Sequence, residues 1–397
     1  MLLMRLFFLL LLLPAPVFAQ LELKPPPRPP KPTTFPEIVI TPERAAVLQK
    51  GGMVPINACH LKIDGECVSE GLSCVRKALG KAGLSGKEGV LLMGKGTEVG
   101  RAFWLLEWAG VPEVKVVEGG RLKSRSRRET RFEAPPREEA AADAEWVRTR
   151  FGEKGTEILD LRDEGIWMEK EYEAPPRWAA GHVPHALPFD FRRWLPEKGR
   201  WPEPGEPWET LDRLGPRNAD RDRIEPEAEI VLYGEGPGDS LPGLGYLLLR
   251  RMDRQVRVFP GGFKAWAADG TSPVVRVLGA PEVARLLGID DPRGKTDAAL
   301  IDLREPGDYS RLGHLPGAVN HPAYDERESL ETFMAARWPV GTASRIPIVL
   351  YCYGRGCIRS RNTATHLARM GYMNLVWFRE GWPGWLDAGL PVVEEPR

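Results

Sequence analysis

Four-residue apolar runs recur along the chain, each stopping at glycine or cysteine: "VLLMGKG" at 90–96, "IVLYGEGPGDS" at 230–240 and "IVLYCYGRGCIRS" at 348–360. Runs without polar alternation mark strands buried on both faces, as in parallel sheets. The spacing of Ala364, Leu367 and Ala368 before Gly371 marks a helix that covers such a sheet. Upstream of each run lies a strand ending in a polar turn: "VPINAC" from Val54, "EILDLRDE" from Glu157 and "ALIDLREP" from Ala299. Downstream lies a strand that runs into glycine: "VKVVEGG" to Gly120, "VRVFPGGFKAW" to Trp266 and "LVWFREGWPGW" to Trp385. The second and third units add "AAGHVPHA" at 179–186 and "RLGHLPGA" at 311–318. The repeat predicts an α/β chain of three tandem domains, each a parallel sheet flanked by helices, over 37–135, 136–277 and 278–397.

The chain before the repeat has a different pattern. One Arg, an apolar run from Leu6 to Leu13 and Val17-Phe18-Ala19 read as a secretory signal peptide over 1–19. The run is shorter than the roughly 20 residues of a transmembrane span. A Pro-rich linker, 20–36, follows, with "LKPPPRPPKP" as a stiff spacer. The expected product is periplasmic or secreted, with no integral membrane segment after signal removal. At 397 residues, with 42% hydrophobic residues and 13 Trp, the chain can build several cores. Lys plus Arg equals Asp plus Glu at 55 each, so no overall field recruits nucleic acid. The one basic run, 121–131, lacks interleaved aromatics and reads as a solvated linker.

Export changes how five cysteines are read, because thiols outside the cytosol tend to pair. A disulfide is expected among Cys59, Cys67 and Cys74, without a choice of pair. No Cys-x-x-Cys pair or zinc-type His spacing accompanies them, and neither metal nor cofactor is expected. Cys352 stands at the C-terminal end of a predicted parallel strand, before a glycine loop and a helix, which is where open α/β sheets bind ligands. Loop N–H groups and the helix N-terminus form an anion-accepting cradle there, which favours thiolate. Arg355 and Arg359 add positive charge, Gly356 adds exposed backbone, and Ser360 either donates a hydrogen bond or caps the helix. Gly94 and Gly234 replace the cysteine in the other copies, which are therefore expected to be inert. A strand-end cysteine is otherwise a small buried residue. Cys357 is a resolving thiol, the nucleophile itself or inert packing.

Taken together, D-x-R after a strand, "GHLPGA", a strand ending in Cys, "RS" opening a helix and a late glycine before Trp resemble the rhodanese, or sulfurtransferase, family. The resemblance spans three modules and is strongest in the second and third; the first lacks D-x-R and "GHLPGA". The last module is also similar to exported CXXCW-motif rhodanese-like proteins associated with pyrroloquinoline-quinone-dependent catabolism. Here, however, Ser360 lies eight positions after Cys352 rather than six, four residues separate the cysteines, and Ile358 stands where that group has Trp.

The resemblance implies attack by Cys352 on a sulfane sulfur, a Cys352 persulfide, and a small sulfur-containing anion such as thiosulfate oriented by Arg355 and Arg359. An exported thioredoxin-like reductant would reopen an oxidised Cys352–Cys357 pair. Asp302 with Arg304, and Asp160 with Arg162, are expected as structural ion pairs, and His314 and His182 as fold residues in matched turns. Trp382 and Trp385 either wall the site or fill the core. Two other classes remain open: a non-catalytic rhodanese-fold scaffold, and a thiol redox protein. A Cys-based phosphatase or arsenate reductase analogue is disfavoured, because Cys352 to Arg359 is one residue longer than C-x5-R.

Overall fold

The computed structural model describes residues 36–119, 122–124, 126–162, 180–189, 191–195, 201–203, 224, 227–268, 270–289, 297–322, 328–343 and 345–394. The predicted signal peptide, and the Pro-rich linker as far as residue 35, lie outside the described residues. Among the described residues, thirteen strands form three sheets in which every pairing is parallel. The first sheet has the order β1 (Val39–Ile40), β4 (Val114–Val117), β3 (Val90–Met93), β2 (Val54–Asn57). The second has β6 (Leu187–Pro188), β5 (Thr156–Asp160), β7 (Glu229–Tyr233), β8 (Val256–Phe259). The third has β11 (Val319–Asn320), β10 (Ala299–Asp302), β12 (Ile348–Tyr351), β13 (Asn374–Phe378), β9 (Val274–Val277). The predicted three-sheet α/β architecture is thus present, and the recurrent apolar runs are β3, β7 and β12, each flanked by a strand on either side.

A leading strand opens the first and third modules, as β1 beside β4 and β9 beside β13. In the middle module it is reduced to one parallel bridge, Ala141 to Val258. A boundary at 277 would leave β9 with the middle module, but Asn374–Trp377 pair with it across its whole length, so the sheets divide before residue 274. The basic run is also more than a linker. Arg127 donates to the Gly83 carbonyl at 2.8 Å and pairs with Glu88 at 3.0 Å, and the Thr130 N–H donates to Gly80 O at 3.0 Å. These bonds lay the segment along the first module. Cys67 and Cys74 are the disulfide pair, with Cα atoms 5.4 Å apart, joining helices Gly65–Glu70 and Leu72–Lys81; Cys59 is free and exposed.

The middle sheet is buried on both faces, and strand periodicity sorts its side chains. On β7, Ile230 and Leu232 enter a core shared with the first module, while Val231 and Tyr233 enter one shared with the last. On β12, Ile348, Leu350 and Cys352 face the middle module, whereas Val349 and Tyr351 face the outer core. The helices that follow β3 and β7, α1 (Gly96–Ala109) and α2 (Leu241–Arg251), pack directly on each other. A Cβ on Gly100 would lie 2.4 Å from Leu244 Cα, and one on Gly243 2.4 Å from Arg101 Cα, so glycine permits this contact. Glu107 ties the seam by accepting from Arg137 at 2.7 Å, Tyr246 at 3.0 Å and Arg250 at 3.3 Å. No helix among the described residues is long and apolar enough to cross a membrane.

The other seam carries two histidines, His182 buried and His185 half-buried with its Nδ1 inside. Burial, with Arg361 nearby, pushes both His182 and His185 down to about 3, and Arg162 adds to the effect on His182. A ring whose folded pKa lies below its unfolded value of 6.5 contributes stability in full above that value and loses it as pH falls. Denaturant midpoints should therefore drop between about pH 7.5 and pH 5.5, by up to about 1.4 kcal/mol per pH unit for each ring once below 6.5. A midpoint that does not move over this interval would contradict the buried, neutral placement.

Candidate active site

In the middle and last modules the polar turn after the first core strand builds the same buried network. Arg304 Nε lies 3.0 Å from Asp302 Oδ1, its Nη2 lies 2.6 Å from Oδ2, and Nη2 also donates to Gly313 O at 2.7 Å. Arg162 repeats this with Asp160 at 3.0 and 2.7 Å and with Gly181 O at 2.7 Å. These are the ion pairs expected from D-x-R. The sequence reading missed their third member, the Tyr that ends "IVLY". Tyr351 donates to Asp302 Oδ2 and accepts from the Leu315 N–H; Tyr233 does the same with Asp160 and Val183. Burial, followed by the adjoining carboxylate, pushes both phenols well above their ordinary range. His314 and His182 turn Nδ1 toward the carbonyls of Leu315 and Val183 at 3.0 and 2.8 Å, which fits a fold role. Trp382 covers the Arg304 guanidinium at 4.4 Å, as Phe263 covers Arg162 at 3.9 Å. Trp385 is fully buried core.

This network supports the end of β12. Cys352 is 1% exposed, and its carbonyl accepts from the Trp382 N–H at 3.0 Å. Gly381, with φ +56°, permits that approach, because a Cβ there would lie 2.3 Å from Cys352 O. Its counterpart Gly262, with φ +59°, approaches Gly234 O in the same way. The late glycine before Trp or Phe is therefore the residue that closes the helix onto the strand end. Beyond Cys352 the loop turns at Gly354, φ +122°, and the Cys357 N–H donates to Gly354 O at 2.9 Å. Cys352 and Cys357 are joined as a disulfide, with Cα atoms 6.4 Å apart and so inside the roughly 7 Å limit.

Helix α3 (Arg359–Arg369) leads away from the loop. The two loop arginines meet carboxylates from neighbouring strand ends: Arg359 pairs with Glu305 at 2.7 Å and Arg355 with Glu380 at 3.6 Å. Tyr353 donates to Asp308 at 2.7 Å and accepts from the Glu305 N–H at 3.0 Å. That hydrogen bond, with help from Arg311, holds the Asp308 carboxyl below its usual range. Gly356 is exposed at the loop tip. Ser360 does not cap the helix: Ile358 occupies the cap position, and Ser360 Oγ, 2% exposed, accepts from Trp377 Nε1 at 3.0 Å. The fold thus gathers Cys352, Cys357, Arg355, Gly356 and Arg359 in one loop, adds Glu305 and Glu380, and turns Ser360 into the sheet. Glu305 directly follows D-x-R and Glu380 directly precedes Gly381, so both stood in visible motifs. Their spacing alone did not say which arginine each would meet.

The glycine modules fill the equivalent space. A Cβ on Gly234 would lie 2.1 Å from Asp239 Oδ2. That carboxylate accepts from the Glu235 N–H at 3.0 Å and from the Leu241 N–H at the start of α2 at 2.9 Å. In the first module a Cβ on Gly94 would meet Val99 Cγ2 at 2.7 Å and Ala58 Cβ at 3.1 Å. The middle loop is also covered by the first module, with Ser240 bonded to Thr97 at 2.7 Å and Arg101 to Pro237 O at 3.3 Å. Gly234→Cys should therefore create no second sulfur-accepting site, since its side chain would have to displace Asp239 and the loop 234–240 carries no arginine of its own. Mass spectrometry that finds added sulfur at position 234 of this variant would contradict that.

A family model described as a rhodanese-like domain matches residues 143–269 and 286–388, more than half of the chain. The chain is 22% identical over 300 residues to the sulfur carrier protein TtuD of Thermus thermophilus, covering 64% of this chain and 97% of that protein. It is 22% identical over 280 residues to the 3-mercaptopyruvate sulfurtransferase of Escherichia coli K12, covering 63% and 96%. Among solved structures, the Tum1 protein from Saccharomyces cerevisiae aligns over 58% of this chain and 95% of its own at 14% identity, with a TM-score of 0.43.

Proposed function

Since the chain belongs to the rhodanese family, we propose that it is an exported sulfurtransferase that moves a sulfane sulfur from a thiosulfate-like donor to a thiophilic acceptor through a persulfide on Cys352. The observation that carries this reading is the contrast between the twin loops. In the middle module the space beside the strand end holds a carboxylate gripped by two backbone N–H groups, which marks the loop as a receptor for negative charge. In the last module the same strand end bears a cysteine instead, and such surroundings favour thiolate.

The Cys352 thiolate attacks the outer sulfur of thiosulfate, the donor's S–S bond breaks, and its electron pair leaves with sulfite. The acceptor thiolate or other thiophile then removes the outer sulfur and returns Cys352 as thiolate. Arg355 and Arg359 hold the anionic end of the donor. Their partly exposed pairs with Glu380 and Glu305 are each worth about 0–1 kcal/mol, so little stability is lost when a bound anion takes the place of a carboxylate. The cycle starts from the reduced pair, and a thioredoxin-like dithiol in the exported compartment supplies the two electrons. The compartment, periplasmic or extracellular, rests on the leader read at 1–19.

The disulfide favours one second reading, a thiol redox protein that uses the pair itself and carries no sulfur. One experiment separates the two. Full-length Cys357→Ser, which has no second thiol in the loop to remove an added sulfur, is reduced, freed of reductant and incubated with thiosulfate, and its peptides are mass-analysed. One added sulfur on the Cys352 peptide is expected; a Cys352 that never carries extra sulfur would leave the redox reading in its place.

A further inference from the structure

Resting on the reading that Cys352 accepts sulfur, we infer that this module has a second activity: Cys357 discharges the Cys352 persulfide within the loop and releases hydrogen sulfide. The twin loops supply the argument. Cys357 and Asp239 occupy the same place, five residues past Cys352 and Gly234 respectively and two before the helix that follows. Each N–H closes the same turn, to Gly354 O and to Gly236 O, at 2.9 Å in both. In the middle module the Asp239 side chain is aimed at position 234, where a Cβ would meet it at 2.1 Å. In the last module the side chain of Cys357 reaches the side chain of Cys352. The aim of position 357 at position 352 therefore belongs to the loop scaffold, since a module with neither cysteine shares it.

Access points the same way. Cys352 is buried between the last and middle modules, whereas Cys357 is only partly buried and lies within bonding reach of it. The Cys357 thiolate attacks the inner sulfur of the persulfide, Cys352 Sγ. The bond from Sγ to the outer sulfur breaks, and its electron pair leaves with the outer sulfur as hydrosulfide. The Cys352–Cys357 disulfide remains. The two thiols supply the two electrons that reduce the sulfane sulfur to sulfide, and the proton lost by Cys357 goes to solvent or to the departing hydrosulfide. An external dithiol then reduces the disulfide and is itself oxidised. The bond this step forms is the Cys352–Cys357 disulfide of this structure.

The test is a single turnover of the full-length protein, reduced, freed of thiol and given thiosulfate, with free sulfide followed by a sulfide-selective probe and the cysteines mapped by mass spectrometry. Wild type is expected to release one sulfide per chain and to finish with Cys352 bonded to Cys357. Cys357→Ser is expected to hold a stable persulfide on Cys352, with sulfide release at background. Wild type that retains its persulfide with Cys357 free overturns the inference and leaves sulfur uptake standing. Equal sulfide release by Cys357→Ser also overturns it. Failure of both proteins to take up sulfur overturns the function on which it rests.

Discussion

Cys352→Ser, reduced and given thiosulfate, should take up no sulfur, and its transfer rate should fall to background, a loss on the order of a thousandfold or more. The change is nearly isosteric at a position that is 1% exposed, so the packing of β12 against the middle module survives and the loss is chemical. A serine hydroxyl is not ionised at neutral pH and does not replace the thiolate as a nucleophile toward sulfur. Arg359→Met should lose far less, because it removes a contact to the donor and leaves the nucleophile. Uptake of sulfur by the serine variant at the wild-type rate would remove Cys352 from the mechanism altogether.

The largest stability effect is expected at Asp302. This carboxylate accepts from the side chain and backbone N–H of Arg304 and from Tyr351, all three residues being fully buried. Removing one member of such a pair strands the other's charge away from water, which costs about 3–5 kcal/mol. Asp302→Ala should lower the unfolding free energy by that amount, and Asp160→Ala should do nearly the same from a module without a nucleophile. Tyr351→Phe leaves the ion pair intact and should cost only about 1–3 kcal/mol for the unsatisfied partners. Denaturant titration of the three variants, with circular dichroism at the start point, gives the order directly. Asp302→Ala within 1 kcal/mol of wild type, on the order of a lost neutral hydrogen bond, would mean that the pair is not held as described.

Much of this was legible in the sequence because it rests on local chemistry. Apolar runs without alternation announced strands with neighbours on both sides, and D-x-R announced a pair two residues apart whose partners cannot avoid each other. The family resemblance added the expectation of sulfur chemistry at Cys352. What was not legible depends on distant chain. "VVRV" at 274–277 follows a landmark of the middle module, yet its partner strand lies about a hundred residues later, and pairing decides membership. Ser360 sits where a cap would be, but the indole that claims it, Trp377, comes from the next strand. Tyr351 read as one more apolar position in "IVLY", although its hydroxyl completes the buried network. Nothing in "EGPGDS" singles out Asp239, and only the space above Gly234 explains its orientation.

The sharing of cores has a consequence for how the chain can be made. Order along the sequence is also order in the stack: the first module seals one face of the middle sheet and the last module seals the other. Delivery from the N-terminus, whether from a ribosome or through an export channel, therefore brings each sticky face its partner with the very next domain to emerge. No surface has to wait for a module beyond its neighbour. The same arrangement makes the two modules with glycine at the strand end hard to discard. Cutting out the last module alone would bare the apolar side of β12 and α3, and the fragment should aggregate where the whole chain stays in solution. The middle module is in this sense a built-in chaperone for the last, as the first is for the middle.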